Sequence, residues 1–213
     1  YGGTEEQWKA VEGYKNVQRD GLPVIHYNCA RELPETAAGD GETLRRLVQD
    51  GIGAGLTEIE LTGDIDLGGA TLPVQDDSNV LLDLKGHRIT SGADPAITVV
   101  GDLTVTDSTE GSAPAVGADN RVSYACSGSI SSTGAAGNVI DVRFGGSFTL
   151  QGGTVRGGDR DAAITVAGAP GEYANPDGIE TLVSINGGYV EAEGPAVAVS
   201  GLAAYVRVKG GVA

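Results

Sequence analysis

The chain has 213 residues, enough to bury one sizeable core. Its 35 glycines, 5% aromatic residues and lack of methionine exclude an ordinary helical bundle and favour short strands joined by tight turns. The formal charge of -15, from 29 acidic and 14 basic residues, repels a polyanion at long range and excludes nucleic acid as a partner. An acidic surface serves solubility and is compatible with Ca²⁺ or cationic partners. No apolar run is long enough to span a bilayer, and no charged-then-apolar leader opens the chain. It starts abruptly at Tyr1 and stops within a repeat at Gly211-Val212-Ala213, which leaves room for a signal peptide and a wall anchor outside this stretch.

Residues 1–30 form a first zone that holds most of the large aromatics, Tyr1, Trp8, Tyr14 and Tyr27. Thr4 followed by Glu5, Glu6 and Gln7 opens a helical turn that runs to Val11, and Val24-Ile25-His26-Tyr27 reads as a short strand. With Tyr1, Gly3, Thr4, Trp8 and the closing Ile25-His26-Tyr27-Asn28, this stretch resembles the tail unit of gut-bacterial surface proteins that carry leucine-rich or immunoglobulin-like repeats. The resemblance implies a small N-terminal cap belonging to a preceding surface repeat, its aromatics packed together as a core. Cys29 and Cys126 are the only cysteines, and they stand too far apart for a CxxC redox or zinc motif. In a secreted protein they pair, and closing a loop of about 100 residues stabilises the fold by up to about 4.7 kcal/mol in the chain-entropy model. The other reading is two buried free thiols.

Residues 31–56 read as a linker and a capping helix. After the polar break AAGDGE, Leu44, Leu47 and Val48 fall at helical spacing, Arg45, Arg46, Gln49 and Asp50 face elsewhere, and Gly51 and Gly53 supply the stop. A short amphipathic helix placed just before a repetitive β domain is suited to cover its open first layer.

From 57 to 213 the chain repeats. LDLKGHRI (82–89), FTLQGGTV (148–155), VSINGGYV (183–190) and VRVKGGVA (206–213) each run apolar, polar, apolar, polar and then into a glycine corner; IDLGGATL (65–72) is a looser copy, and LTVTDS (103–108) puts Asp-Ser where the glycines stand. A second series, AITVV at 96, VIDV at 139, AITV at 163 and AVAV at 196, alternates with the first. The spacings predict a period of about 22 residues, within the range of solenoid repeats, with insertions at 110–126 and 168–178 hung on an unchanged scaffold as outward loops that carry specificity. Alternation places Leu82, Leu84, Phe148, Leu150, Val183, Ile185, Val206 and Val208 inside, and Asp83, Thr149, Ser184 and Arg207 outside. Leu84, Ile97, Val99, Ile140, Val142, Phe148, Leu150, Ile164, Val166 and Ile185 are expected to share one stacked core. Strands linked in this way pair in parallel.

The run from VLLDLKGHRIT through AITVVGDLTVTDS to GSFTLQGGTV resembles the pectate-lyase-like segments of bacterial surface proteins. That resemblance implies an all-β, right-handed, single-stranded parallel β-helix over 57–213, continuing past the end of this stretch. The same superfamily includes lyases, hydrolases, phage spikes and inert stalks, so the fold does not choose the activity.

A glycoside hydrolase on such a scaffold needs paired carboxylates. Asp83 and Asp141 are expected to share a face, with Asp102 and Asp107 at another corner, but Thr98 and Thr165 take the places matching Asp141, so no dense cluster is expected. A polysaccharide lyase needs Ca²⁺-holding aspartates beside a basic residue, and Arg156, Asp159, Arg160 and Asp161 make the best single stretch. Solvated strand and turn residues are the ordinary reading of all of these. Nucleotide, hydride, serine-hydrolase and zinc-protease motifs are absent from the sequence. The sequence therefore points to a secreted or cell-wall-displayed, non-catalytic stalk or adhesion module without cofactor, recognising a glycan or a host surface protein. A polysaccharide lyase or hydrolase, and a glycan-binding module, are the alternatives.

Overall fold

The computed structural model describes residues 36–109, 127–168 and 180–210, together with the backbone of two strands at 114–116 and 122–124. Contacts divide the chain into residues 1–35 and 36–213, and the second unit is the one described. The aromatic zone, Cys29 and Cys126 lie outside the described residues, as do most of the 110–126 insertion and residues 169–179.

Elements follow one another in a fixed rotation. Strand β1 (Ala37–Ala38) and helix α1 (Gly41–Asp50) precede a first circuit of β2 (Leu56–Leu61), β3 (Ile65–Asp66) and β4 (Leu72–Val74). The second circuit is β5 (Asn79–Asp83), β6 (Arg88–Ser91) and β7 (Ile97–Val99). The third opens with β8 (Asp102–Thr106), is interrupted by the antiparallel pair β9 (Pro114–Val116) and β10 (Val122–Tyr124), and resumes with β11 (Ser129–Ser132) and β12 (Ile140–Arg143). Strands β13 (Ser147–Leu150), β14 (Thr154–Arg156) and β15 (Ile164–Ala167) make the fourth circuit. The fifth is β16 (Thr181–Ile185), β17 (Tyr189–Glu191) and β18 (Val197–Ser200), after which β19 (Ala204–Val208) begins another.

Corresponding strands of successive circuits pair in parallel. Sheet A is β1-β2-β5-β8-β13-β16-β19, sheet B is β3-β6-β11-β14-β17, and sheet C is β4-β7-β12-β15-β18. The described residues are thus mostly strand, in three parallel sheets with one helix.

Register in sheet A sets the period. Ala37 pairs with Glu60, Leu56 with Asn79, Asn79 with Asp102 and Leu182 with Tyr205, a step of 23 residues each time (60 − 37, 79 − 56, 102 − 79, 205 − 182). Asp102 pairs with Ser147 and Ser147 with Leu182, steps of 45 and 35, which are the same 23 with 22 and 12 residues inserted. The expected period of about 22 is corrected to 23. Its error was a slip of two: Leu103 stacks on Val80 and Val105 on Leu82, so LDLKGHRI must move by two residues to align with LTVTDS. A shift of two leaves the inside-outside alternation unchanged, so hydrophobic pattern alone does not detect it.

Two further features depart from the sequence reading. Ile65 of IDLGGATL lies in sheet B beside Ile89; the true first-circuit member of the leading series is Leu56–Leu61, whose Ile59 stacks on Leu82. The two alternating series become three sheets, because the apolar residue after each glycine corner starts a short strand of its own. The second series aligns as read, with Ile97, Ile140, Ile164 and Val197 in one column. The 110–126 insertion, expected as a plain loop, contains the β9/β10 hairpin.

Inward residues of all three sheets meet in one continuous apolar cluster, and the ten residues expected to form a stacked core are each fully buried. Glycine doublets make the corners because the corners stack on one another. A Cβ on Gly187 would stand 2.2 Å from the Gln151 carbonyl oxygen, and one on Gly188, held at φ +71°, would stand 2.4 Å from that of Gly153, distances no side chain tolerates.

At the first end, α1 occupies the stretch between β1 and β2 where a preceding circuit would place strands for sheets B and C. Asp40 caps it, its Oδ1 accepting from the Glu42 and Thr43 N–H groups at 2.9 and 2.8 Å, which is worth about 1 kcal/mol. Leu44, Leu47 and Val48 enter the core, and the Arg45 guanidinium donates to the Leu67 carbonyl at 2.6 Å, tying the helix to the first circuit. Leu47→Asp would place a charge against this apolar surface. It is expected to cost about 3 kcal/mol or more and to lower the thermal midpoint by roughly 6 to 12 °C, whereas Gln49→Ala on the exposed side should leave it nearly unchanged; circular dichroism melting of both variants checks this.

Candidate functional site

The residues singled out for chemistry separate in space. Asp141 sits mid-strand in sheet C between Thr98 and Thr165, as the alignment implied. Asp83 is in sheet A, so the expectation that the two share a face is corrected: they belong to different sheets. Asp141 is also buried, at 5% exposure, although alternation points it outward. Thr165 Oγ1 donates to its Oδ1 at 2.8 Å, the Arg143 Nε and Nη2 groups both contact its Oδ2, and Asn138 Nδ2 donates to Thr165 Oγ1 at 3.0 Å. A carboxylate neutralised and hydrogen-bonded in this way is committed to holding a polar ladder across sheet C.

Arg156 is exposed at the end of β14, with its Nε 3.6 Å from Glu191 of the adjoining strand. Asp159, Arg160 and Asp161 lie exposed on the connection to β15. That connection is fixed by its backbone, Gly158 N–H donating to Gly137 and Asp161 N–H to Ala136, at 3.0 and 2.8 Å. Among the described residues, no three His, Cys, Asp or Glu side chains converge as a metal would require.

What the sequence reading missed is the work carboxylates do at the corners. Asp107, taken as a corner candidate for catalysis, is buried. Its Oδ1 accepts from the Gly86 N–H at 2.9 Å and from Thr109 Oγ1 at 2.6 Å, and its Oδ2 accepts from the Gly128 N–H at 2.9 Å, so one side chain joins the second circuit to both sides of the insertion in the third. Asp83 accepts from the Lys85 N–H within its own turn at 3.1 Å and from the Ser108 N–H of the next circuit at 2.9 Å, with Lys85 Nζ 3.4 Å away. Asp94 does the same between sheets B and C, accepting from the Ala136 and Gly137 N–H groups and from Ser132 Oγ. Asp64 accepts from the Arg88 N–H at 3.0 Å, with His87 Nδ1 3.6 Å away. The signal for such residues was present in Asp-Leu-Lys-Gly and Thr-Asp-Ser, since an aspartate opening a turn bonds the N–H two residues on.

Burial opposes the charge of Asp83, Asp94 and Asp107, but the hydrogen bonds they accept outweigh it, and each has its pKa lowered. A lowered folded pKa contributes stability that is full above the unfolded aspartate value of about 3.9 and is lost as pH falls through the folded value.

Among the described residues, a shallow cleft of about 260 Å³ opens where sheet C turns into sheet A, lined by Asp76, Asp77, Ser78, Asn79, Val100, Gly101, Asp102 and Gly145. The preceding residue, Phe144, is 62% exposed with a left-handed backbone. Ser78 Oγ is buried without a hydrogen-bond partner, but Ser78 has the parity of the inward Val80, so it belongs to the core side. The cleft offers hydrogen-bond acceptors and one amide to a ligand rich in hydroxyl groups. No family model, curated protein or solved structure matches this chain significantly.

Asp107→Ala would leave the buried Gly128 N–H without its acceptor, at about 1 to 3 kcal/mol, and the half-buried Gly86 N–H likewise, at less. Its expected signature is a lower thermal midpoint at pH 7 and a smaller difference from wild type below pH 4, where the wild-type carboxylate itself protonates. A difference that stays constant from pH 7 to pH 3 would contradict this role.

Proposed function

We propose that residues 57–213 form a right-handed parallel β-helix, preceded by its capping helix, and that the chain is a secreted or cell-wall-displayed, non-catalytic stalk or adhesion module. The observation that carries this reading is the separation of scaffold from insertion. Sheet A holds its 23-residue step while 22 and 12 extra residues enter between its strands, most of them at the 110–126 and 169–179 insertions, an arrangement suited to displaying variable segments on a constant rod. The likeness of its wording to pectate-lyase-like segments, and of residues 1–28 to surface-protein tail units, supports the location. The commitment of Asp83, Asp107 and Asp141 to structural bonds weighs against the hydrolase alternative, because of the four carboxylates read as its candidates only Asp102 stays exposed.

The cleft at 76–79, 100–102 and 145 favours a second reading, glycan binding without cleavage. An exposed aromatic beside amide and carboxylate acceptors has the chemistry that a sugar ring and its hydroxyl groups match.

Incubation with pectins, alginates and glycosaminoglycans, with and without Ca²⁺, is expected to yield neither unsaturated nor shortened products, while a glycan or host-surface-protein array detects binding. Binding lost on deleting 111–125 or 170–178 supports display by the insertions. Binding lost instead in Phe144→Ala or Asp102→Asn supports the cleft, and time-dependent product release would establish an enzyme.

A further inference from the structure

Sheet ladders join every pair of successive circuits, but the corners are joined in different ways. Between the second and third circuits, four backbone N–H groups donate to aspartates of the other circuit. Gly86 N–H donates to Asp107 and Ser108 N–H to Asp83, each at 2.9 Å, a reciprocal pair at the corner between sheets A and B. At the corner between sheets B and C, Ala136 and Gly137 N–H donate to Asp94 at 2.7 and 3.0 Å, and Ser132 Oγ adds a bond at 2.8 Å. Among the described residues, the first and second circuits share one such backbone bond, from Arg88 N–H to the exposed Asp64, and the later junctions share none. The third circuit also takes the longest insertion: Arg88 and Ser129, register partners in sheet B, stand 41 residues apart (129 − 88). Its corner is therefore not closed by a short covalent turn, as residues 84–87 close the one before it.

Carboxylate acceptors differ from carbonyls in that they titrate. Hydrogen bonds to an ionised group are roughly twice as strong as neutral ones, so a corner built on carboxylates weakens on protonation while the ladders do not change. Asp83 faces Lys85 Nζ at 3.4 Å, and the same Nζ reaches Glu60 of the first circuit at 3.5 Å. His87 and Arg88, next along that corner, turn to Asp64. Asp107 faces Thr109 and the Gly86 and Gly128 N–H groups. Asp94 faces Ser132, Ala136 and Gly137, and the connection carrying Asp159, Arg160 and Asp161 packs on that corner through Asp161 N–H to the Ala136 carbonyl.

We propose that the junction between the second and third circuits is an acid-sensitive seam, held at both of its corners by Asp83, Asp94 and Asp107, and that the stack parts there first as these carboxylates protonate. Parting breaks one rung of bonds in each sheet and leaves the ladders on either side intact, a sub-global opening. Burial raises the pKa of each of the three carboxyls, but the bonds they accept outweigh it and the net shift is downward. The seam is therefore at full strength above the unfolded aspartate value of about 3.9 and loosens as pH falls through the lower folded value. This inference stands on the corner bonds and is independent of the proposed function.

Amide hydrogen exchange of the full chain at pH 7 and pH 3, each rate referred to the unstructured amide at the same pH, tests it. Leu84, Ile97, Ser129 and Thr133 N–H bond across the seam, to Thr106, Val139, His87 and Ser91, whereas Gln151, Thr154 and Val139 N–H bond across the next junction, to Val105, Gly128 and Ala163. On going from pH 7 to pH 3, the first set is expected to lose at least about tenfold more protection than the second. The chain carrying Asp83→Asn, Asp94→Asn and Asp107→Asn keeps an acceptor at each place but no titrating group. Its seam amides are expected to be less protected at pH 7 and to change with pH no more than the second set does. Asp94→Asn alone should reduce the pH response at Ile97 and Thr133, while Asp159→Asn, on the exposed connection, should leave it as in wild type. Equal loss of protection by both sets in wild type, or a full wild-type pH response at Ile97 and Thr133 in folded Asp94→Asn, would overturn the proposal.

Discussion

Along sheet A, each residue stands beside a register partner 23 residues away or, where an insertion intervenes, 23 plus the insertion, and its backbone groups bond to the residues on either side of that partner. The ladder fixes more than hydrogen bonding. Because the step is constant, Val80, Leu103, Phe148, Val183 and Val206 form one column, and Leu82, Val105, Leu150, Ile185 and Val208 the next. Each apolar side chain thereby gains neighbours above and below, burying what a single circuit would leave exposed on both sides. Inserted residues cannot enter the columns without breaking the ladder, so they collect at corners.

Corners then become the places where backbone groups are hardest to satisfy. Strand N–H groups bond within the sheets, but those of Gly86, Ser108, Gly128, Ala136 and Gly137 lie between sheets, and aspartates supply their acceptors. Part of an acidic composition that resembles a functional surface is therefore internal scaffolding. The same corners require glycine wherever successive turns approach within Cβ contact, so glycine and aspartate abundance share one cause. The outward carboxylates of Asp76, Asp77 and Asp102 take part in no such bond to another circuit and remain available to ligands at the cleft.

Much of this was legible in the sequence. Alternation identified the inward residues, and the AITVV, VIDV, AITV and AVAV series identified sheet C, because its members enter at the same corner with a small apolar residue, Ala96, Val139, Ala163 and Ala196. The helix was readable because Leu44, Leu47 and Val48 fall on one face. The 23-residue register was harder to read, since period-two patterns are blind to slips of two and LTVTDS lacks the glycine corner that aligns the other copies. Sheet B was hidden because its strands are short and begin within two residues of a glycine. The candidate residues fared differently for an electrostatic reason: an aspartate that accepts backbone N–H bonds and one poised for catalysis look alike in sequence, and only the circuit stacked against it tells them apart.

Stacking at this register is the central claim, and paired cysteines test it most directly. Thr104 and Thr149 face outward on neighbouring strands of sheet A and are register partners. Adjacent strands lie about 4.8 Å apart, within the Cα range of a disulfide. In the chain carrying Thr104→Cys and Thr149→Cys, mild oxidation is expected to link the two positions rapidly, whereas Thr104→Cys with Ser147→Cys, offset by two residues, should link slowly or not at all. Efficient linkage of the offset pair in place of the matched one would contradict the register, and with it the stacked core and corners derived from it.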